Sequence, residues 1–255
     1  MKITVLGKSP SWQDADGACS GYLVQEGDYA LLLDCGNGVF SKLRRFRDYL
    51  DVDAVLISHL HSDHFFDLVP FANALEYSPR QQRVPGGPRL HAPPGSAGVF
   101  RSLMGGWGDP GLIERAFEVH EFASADELTL GPLTARFCEV PHFTRTYAVE
   151  VANHSARLTY SADCGPNEEL IRFGRDTDLM LIEATLASPE ASGDRGHLTP
   201  REAGEHGRRA GAQRLVVTHY SDELDSEQLR AEAGDGYGGP VELAREGSIY
   251  LVAGH

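Results

Sequence analysis

Residues 57–64 read ISHLHSDH, which places His59, His61, Asp63 and His64 within six consecutive positions directly after an apolar run. Side chains two apart at a strand end point the same way, so His59 and His61 can converge on one cation. Asp63 and His64 follow in a turn and can face a second. Imidazole nitrogen suits zinc and its neighbours, and a carboxylate adds a harder oxygen ligand able to orient a water. The spacing predicts a metal centre; the competing reading is a polar surface turn in which the histidines meet by chance.

Such side chains need strand ends to hold them. Runs rich in Val, Ile, Leu, Phe and Tyr predict strands over residues 2–7, 20–25, 29–36, 54–59, 117–122, 133–140, 146–152, 156–163, 178–185, 214–221 and 248–254. EGD at 26–28 and ANHS at 152–155 read as hairpin turns. Helices are expected over 39–50, where Val39, Leu43, Phe46 and Leu50 form one stripe, and after Asp67. Thr199-Pro200-Arg201-Glu202 supplies a Thr cap, a proline in the first turn and a glutamate three residues after the cap, the capping box that opens another helix. The Gly/Pro-rich stretch 85–111 is expected to be an irregular surface region with one short helix. Strands in succession, followed by strands alternating with helices, predict an α/β fold with sheets between helical layers.

A chain of 255 residues with 41% hydrophobic content can bury a substantial core, and one domain over 1–255 is expected. The net charge of −14 disfavours a broad phosphate-binding surface. Cys19, Cys35, Cys138 and Cys164 are dispersed, which predicts free thiols in place of a zinc ribbon or a disulfide framework. No run approaches the roughly 18 apolar residues of a membrane span. MKITVLG reads as a strand and not as a cleaved signal, so a cytoplasmic enzyme without membrane association is expected.

The H-x-H-x-D-H run behind an apolar strand resembles the signature of the metallo-β-lactamase superfamily of hydrolases. The likeness continues through EVPHF, SADCG and VVTHYS, which carry His142, Asp163 and His219. It implies a four-layer αββα sandwich with one or two metals at the sheet edges. It also implies that His59, His61 and His142 bind one divalent ion, Asp63, His64 and His219 a second, and that Asp163 bridges the two. Zinc is the expected metal, with manganese or iron also suited. Two dications held close together would lower the pKa of a shared water and make hydroxide near neutral pH. Read one at a time, His142 could be a loop residue, Asp163 a turn cap and His219 a strand-end histidine.

LIEATL and GHLTPREAGEHGRRAGAQRLVVTHYS are similar to the matching part of ribonuclease Z and related phosphodiesterases, where a Glu-Ala-Thr loop and a later histidine lie beside the metal pair. This resemblance implies a phosphodiesterase in which Asp63 orients the water or takes its proton. His197, oriented by Glu183, would protonate the departing oxygen; the plainer reading of His197 is a surface histidine. Only 20 residues separate His142 from Asp163, too few for the long arm with which ribonuclease Z proteins grip transfer RNA. With the acidic charge, this points to a small phosphodiester such as a cyclic nucleotide, as in the atypical bacterial cyclic-nucleotide phosphodiesterases that SGYLV, HLHSDH and GHLTPREAG also resemble. The alternatives are a ribonuclease Z-like transfer-RNA 3′ endonuclease, a thioesterase or lactonase, and a non-catalytic metal-binding module. The expected partners are a small phosphodiester ahead of RNA, and a second copy of the chain in a homodimer. Arg145, Tyr220, Phe65 and Phe66 are candidate substrate contacts and the segment around Trp107 a candidate lid, against the plainer readings of a solvated arginine and of aromatic rings packed in the core.

Overall fold

The computed structural model describes residues 1–80 and 87–254. The first half of the chain forms β1 (Lys2–Gly7), β2 (Gly21–Glu26), β3 (Tyr29–Leu33), α1 (Val39–Leu43), β4 (Ala54–Leu56), α2 (Ser62–Phe65), α3 (Leu68–Tyr77), β5 (Arg89–Ala92), α4 (Ser96–Gly105), α5 (Leu112–Ala116) and β6 (Glu118–Glu121). The second half forms β7 (Glu127–Leu130), β8 (Leu133–Val140), β9 (Thr146–Ala152), β10 (Arg157–Tyr160), α6 (Glu168–Phe173), β11 (Leu179–Glu183), α7 (Pro200–Ala210), β12 (Leu215–Thr218), α8 (Ser226–Tyr237) and β13 (Glu242–Leu243). The chain then returns to the first sheet as β14 (Ile249–Leu251).

The two sheets are ordered β14-β1-β2-β3-β4-β5-β6 and β13-β12-β11-β10-β9-β8-β7. Each is antiparallel where hairpins build it and parallel where helices cross over, from β3 to β6 in one and from β10 to β13 in the other. Alternation along the strands explains the layers. Val5, Leu31 and Leu33 meet Phe137, Val149 and Leu158 between the sheets. The intervening residues face outward: Leu32, Val55 and Leu90 pack under Val39, Phe71 and Phe100, while Met180, Ile182 and Val217 pack under Leu170, Ala203 and Leu229. Two mixed sheets flanked by helices make an αββα sandwich. Each fully buried large aliphatic side chain contributes roughly 1.5–3 kcal/mol to holding these layers together. Among the described residues, no helix is long and apolar enough to cross a membrane.

Parallel strands all end on the same edge of their sheet, where open α/β sheets bind ligands. The loops after β4, β8, β10, β11 and β12 therefore meet in one place. The capping box of α7 is present, with Thr199 accepting from Glu202 N and the Glu202 carboxylate accepting from Thr199 N.

Several local expectations are corrected. The stretch 85–111 holds the one short helix expected of it, α4, which buries Phe100 and Met104, but it is not otherwise all surface irregularity: leaving aside residues 85 and 86, which lie outside the described residues, it also holds β5, an interior strand with Leu90 and Ala92 buried. A four-residue strand between prolines is too short for any period to show. The helix expected over 39–50 ends at Leu43; Asp48 then caps a tight turn by accepting from Leu50 N at 3.2 Å, leaving Phe46 42% exposed. Strands β7 and β13 and helices α6 and α8 were not expected. In α8 the reason is its contact surface, since Gly204 and Gly236 bring α7 and α8 together backbone to backbone. A Cβ on either would fall about 2 Å from a carbonyl oxygen of the other helix, so small residues stand where a stripe of large apolar ones would have been read.

Candidate metal centre

His59 and His61 follow β4, Asp63 and His64 lie in the single turn of α2, and His142 follows β8. Asp163 follows β10, and His219 follows β12. The structure brings all seven side chains together. Ligating atoms of His59, His61, His142 and Asp163 lie within 4.8 Å of one another, and so do those of Asp63, His64, Asp163 and His219. Asp163 belongs to both groups and divides its oxygens between them. Its Oδ2 lies 3.7 Å from His59 Nε2 and 3.9 Å from His142 Nε2, while Oδ1 lies 3.3 Å from His64 Nε2 and 3.4 Å from His219 Nε2. Asp63 Oδ2 completes the second group, 3.3 Å from His219 Nε2.

For four of the five imidazoles the far side fixes which nitrogen faces inward. His142 Nδ1 donates to the Gly196 carbonyl at 2.7 Å, freeing Nε2, which stands 2.9 Å from His61 Nδ1. His64 Nδ1 donates to Asp34 Oδ2 at 2.8 Å. His59 Nδ1 lies 3.0 Å from Ser58 Oγ, whose hydroxyl donates to the same Asp34 oxygen at 2.8 Å. His219 Nδ1 lies 2.8 Å from Thr185 Oγ1, which donates to Glu183 Oε2, also at 2.8 Å. Asp34, Ala162 and His219 hold left-handed backbone at φ 57°, 50° and 52°, so strained residues cluster where the side chains are aimed.

Does this set fit metal ions? His59 Nε2 and Asp163 Oδ1 are buried without a hydrogen-bond partner, although both point into the space between the groups. Orphaned polar atoms of that kind are expensive, on the order of 1–3 kcal/mol each. A cation would satisfy them, and the imidazole and carboxylate donors match zinc and similar ions. Charge agrees. Burial, then repulsion from His64, holds the His59 imidazole well below its ordinary pKa. Burial likewise lowers His61 and His142 against the pull of Asp163, which leaves these three neutral, the form that ligates. Burial would raise Asp163, but the neighbouring His219 and His64 hold it well below the usual carboxylate range. His64 moves upward despite its burial because Asp163, Asp34 and Asp63 surround it, and a dication entering there would displace that proton. The residues fit a dinuclear site.

Beside the centre, His197 Nδ1 donates to Glu183 Oε1 at 2.8 Å. Burial alone would lower His197, yet the hydrogen bond and charge of Glu183, with Asp163 behind them, push it up to about 9. Glu183 is fully buried and also accepts from Cys164 N at 2.9 Å. Glu190, Arg195 and Glu202 fasten the loop that carries His197 to the start of α7.

A family model described as the beta-lactamase superfamily domain matches residues 29–220. The chain belongs to that superfamily. It is 30% identical over 250 residues to the "Probable metallo-hydrolase YhfI" of Bacillus subtilis, covering 98% of this chain and 99% of the relative. The crystal structure of YhfI superposes with a TM-score of 0.88 over 98% of each chain. "Ribonuclease Z" of Halorubrum lacusprofundi is 28% identical over 306 residues, covering 99% and 97%. The structure of the short form of human tRNase Z shares the fold at TM-score 0.76 and 19% identity, covering 99% of each chain. Membership of the β-lactamase superfamily and the paired His/Asp groups together mark a dinuclear metal-dependent hydrolase.

Not every expected contact lies at the centre. Tyr220 is buried and its hydroxyl donates to the Ala244 carbonyl at 2.7 Å, and Phe65 packs against Phe100, so neither ring can stack on a substrate. Arg145 is exposed and pairs only loosely with Glu139, at 3.9 Å. Phe66 is half-buried, with its ring 6.0 Å from that of the exposed Trp107. Asp34, Ser58 and Thr185 were missed by the sequence reasoning. For Asp34 a signal existed: a lone carboxylate ending the apolar run ALLLD, as Asp163 ends LTYSAD.

Proposed function

We propose that this chain, as a single cytoplasmic domain, hydrolyses phosphodiesters. The observation carrying this is the pair of buried Glu183 and half-buried His197, grouped with His219 beside the two sets of ligand candidates. In the proposed assignment His59, His61 and His142 hold one divalent cation, Asp63, His64 and His219 the other, and Asp163 both. Zinc is the first candidate, with manganese or iron also suited. Bound there, the pair would lower the pKa of a shared water and offset charge developing on the phosphoryl oxygens. The chain's own groups do the rest. Asp63 orients the water and accepts its proton. His197, protonated below about 9 and fixed by Glu183 through Nδ1, presents Nε2 to the departing oxygen. An alkoxide leaving phosphorus needs that proton, whereas the thiolate expelled from a thioester does not, and this disfavours the thioesterase alternative.

The ribonuclease Z relative favours an RNA linkage over a cyclic nucleotide as substrate. A small phosphodiester is the second reading. It is favoured by the alignment to that relative, which runs to 306 positions against a chain of 255, by the 20 residues between His142 and Asp163, and by the charge of −14. The test is turnover by zinc-loaded protein of bis-p-nitrophenyl phosphate, a precursor transfer RNA, cyclic AMP, a thioester and a lactone. Hydrolysis of the first with either of the next two supports the proposal, and the ratio between those two ranks the substrates. Hydrolysis of the thioester or lactone alone refutes it.

A further inference from the structure

One large apolar side chain at the centre is used neither by the fold nor by the proposed chemistry. Phe143, next to His142, is 61% exposed, and its ring centroid lies 5.1 Å from that of His142 and 5.8 Å from that of His197. A lone exposed phenylalanine would by itself mean little. This one has a seat. Its ring edge rests on Gly196, where a Cβ would fall 2.4 Å from Cε2 and Cζ, so any other residue at 196 would displace it. The same glycine accepts from His142 Nδ1 and immediately precedes His197. Ring, ligand candidate and proton donor thus share one backbone support.

We infer that Phe143 is a stacking platform for the group leaving phosphorus, and that this group is a nucleoside or carries a comparable flat ring; the inference rests on the phosphodiester reading above. His197 gives the direction. In an in-line displacement the proton donor stands on the leaving side, opposite the attacking oxygen, and Phe143 stands beside that donor. As the bond from phosphorus to the leaving oxygen breaks, the proton on His197 Nε2 passes to that oxygen while the base remains against Phe143. An aromatic face accepts any base, so a ring is selected and not a sequence.

The test compares native protein, Phe143→Ala and Phe143→Trp, all zinc-loaded, on the dinucleotide UpU and on the methyl ester of uridine 5′-phosphate. When the P–O3′ bond of UpU and the P–OCH3 bond of the methyl ester break, read as release of uridine 5′-phosphate from both, the two share the retained nucleotide and differ in the leaving alcohol. Phe143→Ala should raise KM for UpU about tenfold or more, leave KM for the methyl ester unchanged, and keep the native zinc content. Phe143→Trp should restore KM for UpU. Equal losses on both esters, no loss on UpU, or lost zinc would each overturn the inference and leave the phosphodiester reading standing. Absence of UpU turnover by native protein would overturn it too, and the substrate panel above decides separately whether the wider reading falls.

Discussion

Asp34 and Glu183 hold matching places in the two halves of the molecule. Each stands at the C-terminal end of an apolar strand, β3 or β11, each is fully buried, and neither is among the seven ligand candidates. Their partners differ. Asp34 accepts from His64, from the Ser58 backbone and hydroxyl beside His59, and across the sheets from Tyr160, at 2.7–3.0 Å. Glu183 accepts from Thr185, which touches His219, and also from His197, which is outside both ligand groups. The first sheet's carboxylate therefore only assembles the centre. The second sheet's carboxylate also ties that assembly to His197, the proposed proton donor.

The sharpest test of this division begins at the residue both halves share. Asp163→Ala should release both cations and reduce phosphodiester turnover by at least roughly 10³-fold, read by metal analysis and assay on the same preparation. His197→Ala should keep both cations and still slow the reaction by roughly 10²–10⁴-fold. Loss of metal in that variant would place His197 among the ligands and erase the contrast. Asp34→Asn preserves shape but weakens the acceptor for His64; metal affinity should fall about 10–100-fold in chelator competition, with kcat at saturating zinc largely retained. The smallest effect is on pH dependence. In the proposed role His197 works protonated, so kcat should fall as pH rises through about 9. Because its folded value is raised, the stabilisation it shares with Glu183 is present below the ordinary imidazole value and is lost over the same rise. Glu183→Gln removes the main raising partner, and the alkaline limb should move down toward about 6.5. An unmoved limb would show that Glu183 does not set the proton donor.

What could be read in advance follows the same split. His59, His61, Asp63 and His64 lie in one short stretch, so their spacing alone announced a centre, and the capping box before α7 was equally local. His142, Asp163, His219 and the Glu183–His197 pair are separated by whole strands and helices; they came only through resemblance of short motifs to a family. Asp34, Ser58 and Thr185 act through hydrogen bonds formed after the sheets pack, and no periodicity encodes such a bond. Tyr220 and Phe65 show the reverse limit, since neighbouring a ligand candidate in sequence says nothing about which way a ring turns. Phe143, also next to a ligand candidate, turns outward because Gly196 gives it room.

Anomalous diffraction from zinc-loaded crystals bears most directly on the centre. Two peaks are expected, one among His59, His61, His142 and Asp163 Oδ2, the other among Asp63, His64, His219 and Asp163 Oδ1. A single peak, or two that leave Asp163 to one side of both, would contradict the bridged pair on which the proposed hydrolysis depends.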